Sequence, residues 1–456
     1  MKALTKSFFS MLVLIFISIG MQISAQSTIL KLPTIDNTSS FDIAKSDSAA
    51  VFRVFGDGGF YTGVPYAADI QGDIPIEGAG HRLMWYPAKA AFRVGGVAGA
   101  ASLVWDDANI GKYSMAMGFG VIASGDFSAA AGSYSVATGV NSVAIGFSQT
   151  ASGDYSTALG NGTTAEGKSS ISMGEQTNAS GDNSTAMGKN TTASGITSTS
   201  MGTSTTASGN FSTAMGNTTI ANGFSSTAIG VSTTASGLVS LAMGYLTTAS
   251  GNRSTAMGNH VSTNDFQGSF IIGDYSSSGI VHNSSAENEM TMRFAGGYRL
   301  FTTSDASLGA LLKPGGNSWT TISDSTKKEK FVYADGENFL SNLSKLRLGS
   351  WNYKTQNSSE YRHYGPMAQD IFYYFGKDKL GTIGNDTTLS TADMDGIMMI
   401  CLQALEKRTV ELRNAAEKIS ELENIINYLT NEFDKMKEAV AKLEKDNSWH
   451  SKMVNN

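Results

Sequence analysis

Gly181-Asp-Asn-Ser-Thr-Ala-Met-Gly-Lys-Asn-Thr-Thr-Ala-Ser194 is one copy of a 14-residue pattern that runs eleven times from Gly111 to Asn264 without an insertion. A unit this short, with glycine at positions 1 and 8, serine at 4 and alanine at 6, is too small for a helical hairpin and too glycine-rich for a coiled coil. It fits one rung of a β-solenoid. Ser156-Thr-Ala-Leu-Gly160 and Thr163-Thr-Ala165 are β-compatible runs, each followed within a few residues by glycine, so two short strands and two tight turns use up the unit. At the ~4.8 Å spacing of neighbouring strands, eleven rungs make a rod of roughly 50 Å.

The alternation in Ser-x-Ala-[Met/Leu/Ile]-Gly sets serine, alanine and glycine on one strand face, and the x residue with Met187, Met215 or Ile229 on the other. Neither has the composition of a solvent face. One face therefore fills the narrow roll and the other meets a further chain, and the sequence leaves open which. A single roll buries little apolar area per rung, whereas several rolls side by side share a continuous core, so oligomerisation is expected. Threonine columns at Thr191-Thr192, Thr205-Thr206, Thr233-Thr234 and Thr247-Thr248 raise an alternative, a flat ice-binding surface. A solenoid that binds or degrades polysaccharide is another, although no acidic pair for glycoside hydrolysis stands out in the repeats.

Asn141-Ser-Val-Ala-Ile-Gly146, Asn183-Ser-Thr-Ala-Met-Gly188 and Phe211-Ser-Thr-Ala-Met-Gly216 resemble the head repeat of YadA-like trimeric adhesins. The resemblance covers about a third of the chain. It implies a mainly β fold, a homotrimer of left-handed parallel β-rolls, and a host or extracellular-matrix ligand or glycan as the binding partner.

The flanks are different. Residues 1–25 read as a signal peptide: Lys2 and Lys6 precede the apolar run Phe8 to Ile19, and Ile23-Ser-Ala25 stands before Gln26. Export to the cell surface or the medium is the expectation. Residues 26–110 are non-repetitive, with an aromatic cluster of Phe52, Phe55, Phe60 and Tyr61 and the run His81-Arg-Leu-Met-Trp-Tyr-Pro87, and they read as a small β-rich domain. That domain is either a receptor-binding tip or a cap on the first rung. Residues 265–322 read as a β-rich neck. The chain has one cysteine, Cys401, so no intrachain disulfide framework supports it, and at 16% charged residues with net charge −6 it has no basic tract for nucleic acid. His81, His260, His282 and His450 are scattered, and neither a metal site nor a cofactor site is expected.

Lysine and glutamate rise after Ser323. The blocks Ser323-Asp-Ser-Thr-Lys-Lys328, Trp351-Asn-Tyr-Lys354, Arg362-His-Tyr-Gly-Pro-Met-Ala-Gln-Asp370 and Ser390-Thr-Ala-Asp-Met-Asp-Gly396 resemble the intramolecular chaperone domain of phage endosialidases and tail spikes. Residues 323–400 are assigned to it. The resemblance implies a domain that assists trimerisation of an upstream β-solenoid and then cuts itself off through a Ser-Lys dyad, here Ser323 and Lys328, with His363 implicated as in some relatives. The cut then falls between Ile322 and Ser323 or between Ser323 and Asp324. A serine hydroxyl needs an adjacent base, and a desolvated lysine can serve. The five-residue offset does not put the pair on one helical face, so a turn or a neighbouring chain must join them. Thr326 and Lys327 stand where the commonest motif has arginine and leucine. The plain alternative for a Ser-Asp pair followed by lysines is a helix N-cap, and for His363 a structural hydrogen bond in the Arg362–Pro366 turn.

From 401 to 456 the chain reads as helix. Leu405, Thr409, Leu412, Ala416, Ile419, Leu422, Ile426, Leu429, Phe433, Met436, Val440 and Leu443 alternate steps of four and three, with a stammer at Leu422. This is a coiled-coil seam, and with the β-roll three strands is the natural count. The sequence closes on charged coil and Asn455-Asn456 rather than on alternating membrane strands, so no membrane anchor of its own is expected.

Overall fold

The computed structural model describes residues 40–44, 50–55, 60–62, 74–276 and 279–453. The signal peptide expected at 1–25 lies outside them. The chain divides into two compact units, Met1–Ile322 and Ser323–Asn456.

The first unit is a parallel β-solenoid with 14-residue rungs. In the rung that starts at Gly181, one strand is Thr185–Lys189 and the other Thr192–Ala193. Each pairs in parallel and in register with its counterparts: Ser172, Ala186 and Ser200 lie side by side, as do Met173, Met187 and Met201. Repeated along the chain, the longer strands build a 15-stranded sheet and the short ones a 12-stranded sheet.

The question of faces is answered by burial. Ser184, Ala186, Thr191 and Ala193 are fully buried, so four small side chains fill the roll in this rung, while at the Thr191 position other rungs bury Val121, Gln149 or Val261. Thr185, Met187 and Thr192 face outward and stay partly exposed. The threonine pairs thus split between the two sides: Thr191 packs inside and Thr192 outside, and the same holds at Thr205-Thr206 and Thr233-Thr234. The double threonine column expected for an ice-binding surface is therefore a single outer column. Where serine replaces alanine inside, at Ser172 and Ser200, its hydroxyl sits 2.7 Å from that of Thr177 or Thr205 across the roll, which satisfies a polar group in a dry interior.

Glycine spacing suggests glycine in the turns, but the structure uses it differently. The left-handed turn positions are Asn183 (φ 56°) and Asn190 (φ 53°), and the same places in other rungs hold Tyr155, Phe211, Val239 and Leu246. Left-handed backbone costs a non-glycine residue about 1–2 kcal/mol. It is offset because the amide then reaches the rung before: Asn183 N–H donates to Lys168 O at 2.8 Å and Asn190 N–H to Glu175 O at 2.9 Å. The two invariant glycines serve close approach. A Cβ on Gly181 would lie 2.1 Å from the carbonyl oxygen of Gly195, and one on Gly188 (φ 119°) 2.0 Å from that of Gly202. Asp126, Asp154, Asp182, Asn210 and Asn252 each accept a hydrogen bond from the amide 14 residues earlier, so corner caps of one kind recur along the roll.

Both ends of the ladder carry an arginine. Ala91–Val97 pairs antiparallel with Gly80–Tyr86 and parallel with Met115–Phe119 of the first rung. From it, buried Arg93 donates to Ser114 O (3.1 Å), Ser114 Oγ (2.8 Å) and Ala123 O (2.9 Å). Desolvation lowers its pKa to about 10. Trp105 closes the same end, its Nε1 donating to Val121 O at 2.8 Å. At the far end the ladder continues past Asn264 through Phe270–Gly273 and Met290–Arg293, inside the stretch read as a neck. There Arg293 donates to Asp274 O (2.8 Å) and pairs with its carboxylate (2.8 Å). Further upstream, Ser40–Ala44, Ala50–Phe55 and Phe60–Thr62 form a separate antiparallel sheet.

Two substitutions separate close approach from turn conformation. Gly188→Ala is expected to destabilise the rod by about 2–3 kcal/mol, whereas Asn190→Gly changes stability by less than about 0.5 kcal/mol. Ala186→Asp buries an unpaired carboxylate and should cost at least about 3 kcal/mol. Thermal or denaturant melts of the three variants check this order.

Candidate active site

The second unit is held by a small core and three helices, α1 (Gly336–Leu343), α2 (Ala368–Phe375) and α3 (Thr391–Met453). Asp335 caps α1 by accepting from the amides of Glu337 (3.1 Å) and Asn338 (3.2 Å). Phe375, Ile397 and Cys401 form the buried centre, with Phe339, Leu340, Leu343, Ile371 and Tyr374 around them. Burial raises the pKa of the Cys401 thiol, as suits a small core residue rather than a nucleophile. Gly336 lets α1 settle on α3, since a Cβ there would stand 2.8 Å from that of Ala404. Arg347 binds Asp370 through two bonds of 2.9 and 2.8 Å, which lowers the Asp370 pKa.

Ser323 and Lys328 come together. Immediately after Ile322 the chain makes a 3-10 turn, Ser325–Lys327, and Lys328 Nζ lies 2.7 Å from Ser323 Oγ. The turn is what a five-residue offset requires. Asp324 is the N-cap of that turn, its Oδ1 accepting from Thr326 N–H at 2.9 Å. The cap and the Ser-Lys contact, rivals in the sequence, coexist.

His363 is placed elsewhere in the unit. It sits on the strand His363–Gly365, antiparallel to Gly349–Trp351, where Trp351 lies directly opposite. Its ring packs on Trp351 with centroids 4.8 Å apart and on Tyr353 at 5.6 Å, and its Nε2 is 3.0 Å from Gln356 Oε1. No hydrogen bond joins it to Ser323 or Lys328 among the described residues. Arg362 beside it donates to Ser350 O at 2.9 Å and Ser350 Oγ at 2.7 Å. The chemistry available at the turn is therefore that of a hydroxyl with an amine in hydrogen-bond contact. Among the described residues no three His, Cys, Asp or Glu side chains converge on a metal position, and no helix is long and apolar enough to cross a membrane.

Residues 110–135, 123–148, 137–163, 165–191, 193–219, 221–238 and 240–260 match the YadA head domain repeat, and residues 323–377 match the chaperone of endosialidase. The chain carries YadA head repeats followed by a chaperone-of-endosialidase domain. No curated protein matches the chain. The chaperone match opens on Ser323 and takes in Lys328, the Trp351–His363 pair and α2. The block Ser390–Gly396 falls outside it, at the start of α3.

Sequence reasoning did not single out Arg93 or Arg293, while the cap made by Asp324 stood in it as the alternative reading of the Ser-Asp pair. The position of His363 gives a test: His363→Ala should destabilise the chaperone domain by about 1–2 kcal/mol through lost ring packing and the Gln356 bond, while His363→Phe, which keeps the ring, should lose less than about 1 kcal/mol. Melting followed by Trp351 fluorescence distinguishes them.

Proposed function

We propose that the protein is an exported, homotrimeric, adhesin-like fibre whose chaperone domain brings three chains into register and then releases itself by autoproteolysis at Ser323. The observation that carries the trimer is the apolar stripe along α3. Leu405, Leu412, Ile419, Ile426, Leu429, Phe433, Met436, Val440 and Leu443 are each more than half exposed in the single chain. A stripe of that length and heptad spacing needs partner helices. The outer faces of the YadA head repeats add to it with a column of methionine and isoleucine, from Met173 through Met201, Ile229 and Met257. As in other adhesin-type fibres, the signal peptide at 1–25 and the outer surface of the rod would then serve export and attachment to a host or matrix ligand or glycan.

The 2.7 Å contact of Lys328 Nζ and Ser323 Oγ supports the cleavage step. Ser323 Oγ attacks the carbonyl carbon of Ile322, and its proton passes to the neutral Lys328 amine. The adduct expels the Ser323 amine, which takes that proton, and Ile322 is left as an ester on Ser323 Oγ. Water then hydrolyses the ester, giving the Ile322 carboxylate and a free hydroxyl. A lysine works as base only as the neutral amine, which burial favours. Both side chains are exposed in the single chain, so the reaction is tied to a covering partner.

Light scattering of the purified full chain should give the mass of a trimer, and a stable monomer would refute the assembly. Mass spectrometry should find the fragment Ser323–Asn456, and a fragment beginning at Asp324 instead would place the cut one bond later. Ser323→Ala and Lys328→Ala should each reduce cleavage at least about 10³-fold and still form trimers, while Ser325→Ala should cut normally. A wild-type trimer that stays whole would leave the domain a chaperone alone.

A further inference from the structure

Two main-chain bonds close the turn between Ser323 and Lys328: Lys327 N–H to Asp324 O and Lys328 N–H to Ser325 O, each 3.1 Å. A lone 3-10 turn with so few bonds barely offsets the entropy of ordering it, and its first amides have no acceptor of their own within it. Asp324 supplies the missing one, its Oδ1 taking the Thr326 amide at 2.9 Å. We propose that Asp324 is the positioning residue of the dyad, its carboxylate locking the turn that sets Lys328 Nζ against Ser323 Oγ without itself handling a proton. This rests on the autoproteolytic reading of Ser323 and Lys328.

Three observations favour a role through the turn over a role through charge. Asp324 forms neither an ion pair with Lys328 nor a hydrogen bond with Ser323 among the described residues, so it does not touch the reacting groups. Hydrogen bonds from the Thr326 amide, then from the Thr326 hydroxyl, hold its carboxyl below the ordinary carboxylate value, so at neutral pH it accepts only. Ser323, Asp324 and Lys328 are all exposed in the single chain, so before a partner covers them no core of their own chain fixes the geometry in place of the cap.

The test uses the full chain as wild type, Asp324→Asn and Asp324→Ala. Asparagine keeps the cap oxygen and loses the charge, and alanine loses both. Cleavage rates are followed against pH, and exchange of the Thr326 amide is measured in the uncleaved Ser323→Ala background. The expected result is cleavage within about twofold of wild type for Asp324→Asn and about fivefold slower for Asp324→Ala, the loss of a typical cap. Thr326 exchange should be faster in the alanine variant alone, and the pH profile should keep its midpoint in all three. Asparagine as slow as alanine would make the charge the operative property and overturn the proposal. Alanine equal to wild type in both rate and exchange would overturn it as well. A wild-type trimer that never cleaves removes the dyad itself, an outcome recognisable without any variant.

Discussion

The rod depends on the approach of one rung to the next. At Gly181 and Gly188 the backbones come so close that a single methyl group would stand about 2 Å from a carbonyl oxygen of the following rung. That approach lets Ala186 pair in register with Ser200, lets the left-handed corners donate back to the preceding rung, and fills the inside with serine, alanine and threonine, apart from Val121, Gln149 and Val261. The methionines of the same strands are then forced outward. The apolar outer face is a consequence of the inner one.

A ladder of near-identical rungs has a weakness. Sliding one rung against another by 14 residues pairs alanine with alanine and glycine with glycine again, so neighbouring registers differ little in energy, and unpaired edges invite aggregation. At the ends the protein closes those edges with different chemistry. Arg93 surrenders its hydration to main-chain carbonyls and a serine hydroxyl under the first rung, and Arg293 combines a carbonyl with the Asp274 carboxylate above the last. α3 is different: the stammer near Leu422 breaks the heptad monotony of a helix of 63 residues. A register marker outside the repeats is what the repeats lack.

Much of this was legible in the residues. The 14-residue period set the rung, and the Ser-Asp-x-x-x-Lys spacing located Ser323 and Lys328. The strand faces were not legible, because serine-alanine and threonine-methionine alternate without a polar side to mark solvent. Glycine accounts for only part of the turns: Gly120 and Gly162 hold left-handed corners, but a corner filled by Tyr155, Val239 or Leu246 has no compositional signature when its stabilisation comes from the neighbouring rung. The end of the ladder was set too early for a related reason: Phe270–Gly273 and Met290–Arg293 keep the pairing but sit on longer coils, so the period disappears while the hydrogen bonds continue. His363 belongs to a motif in sequence and to the Trp351–Tyr353 cluster in space, which no linear pattern reveals.

The central claim is that the 14-residue coil is the unit of stability and that each coil is held by its neighbours in strict register. Excision of one whole rung tests this most directly. A chain lacking Gly181–Ser194 should fold to a rod one strand spacing shorter, ~4.8 Å, with a melting midpoint within a few degrees of the parent, whereas a chain lacking Gly181–Ala193 should lose the register of every later rung and fail to form a cooperative rod. Equal stability of the two deletions would contradict the account.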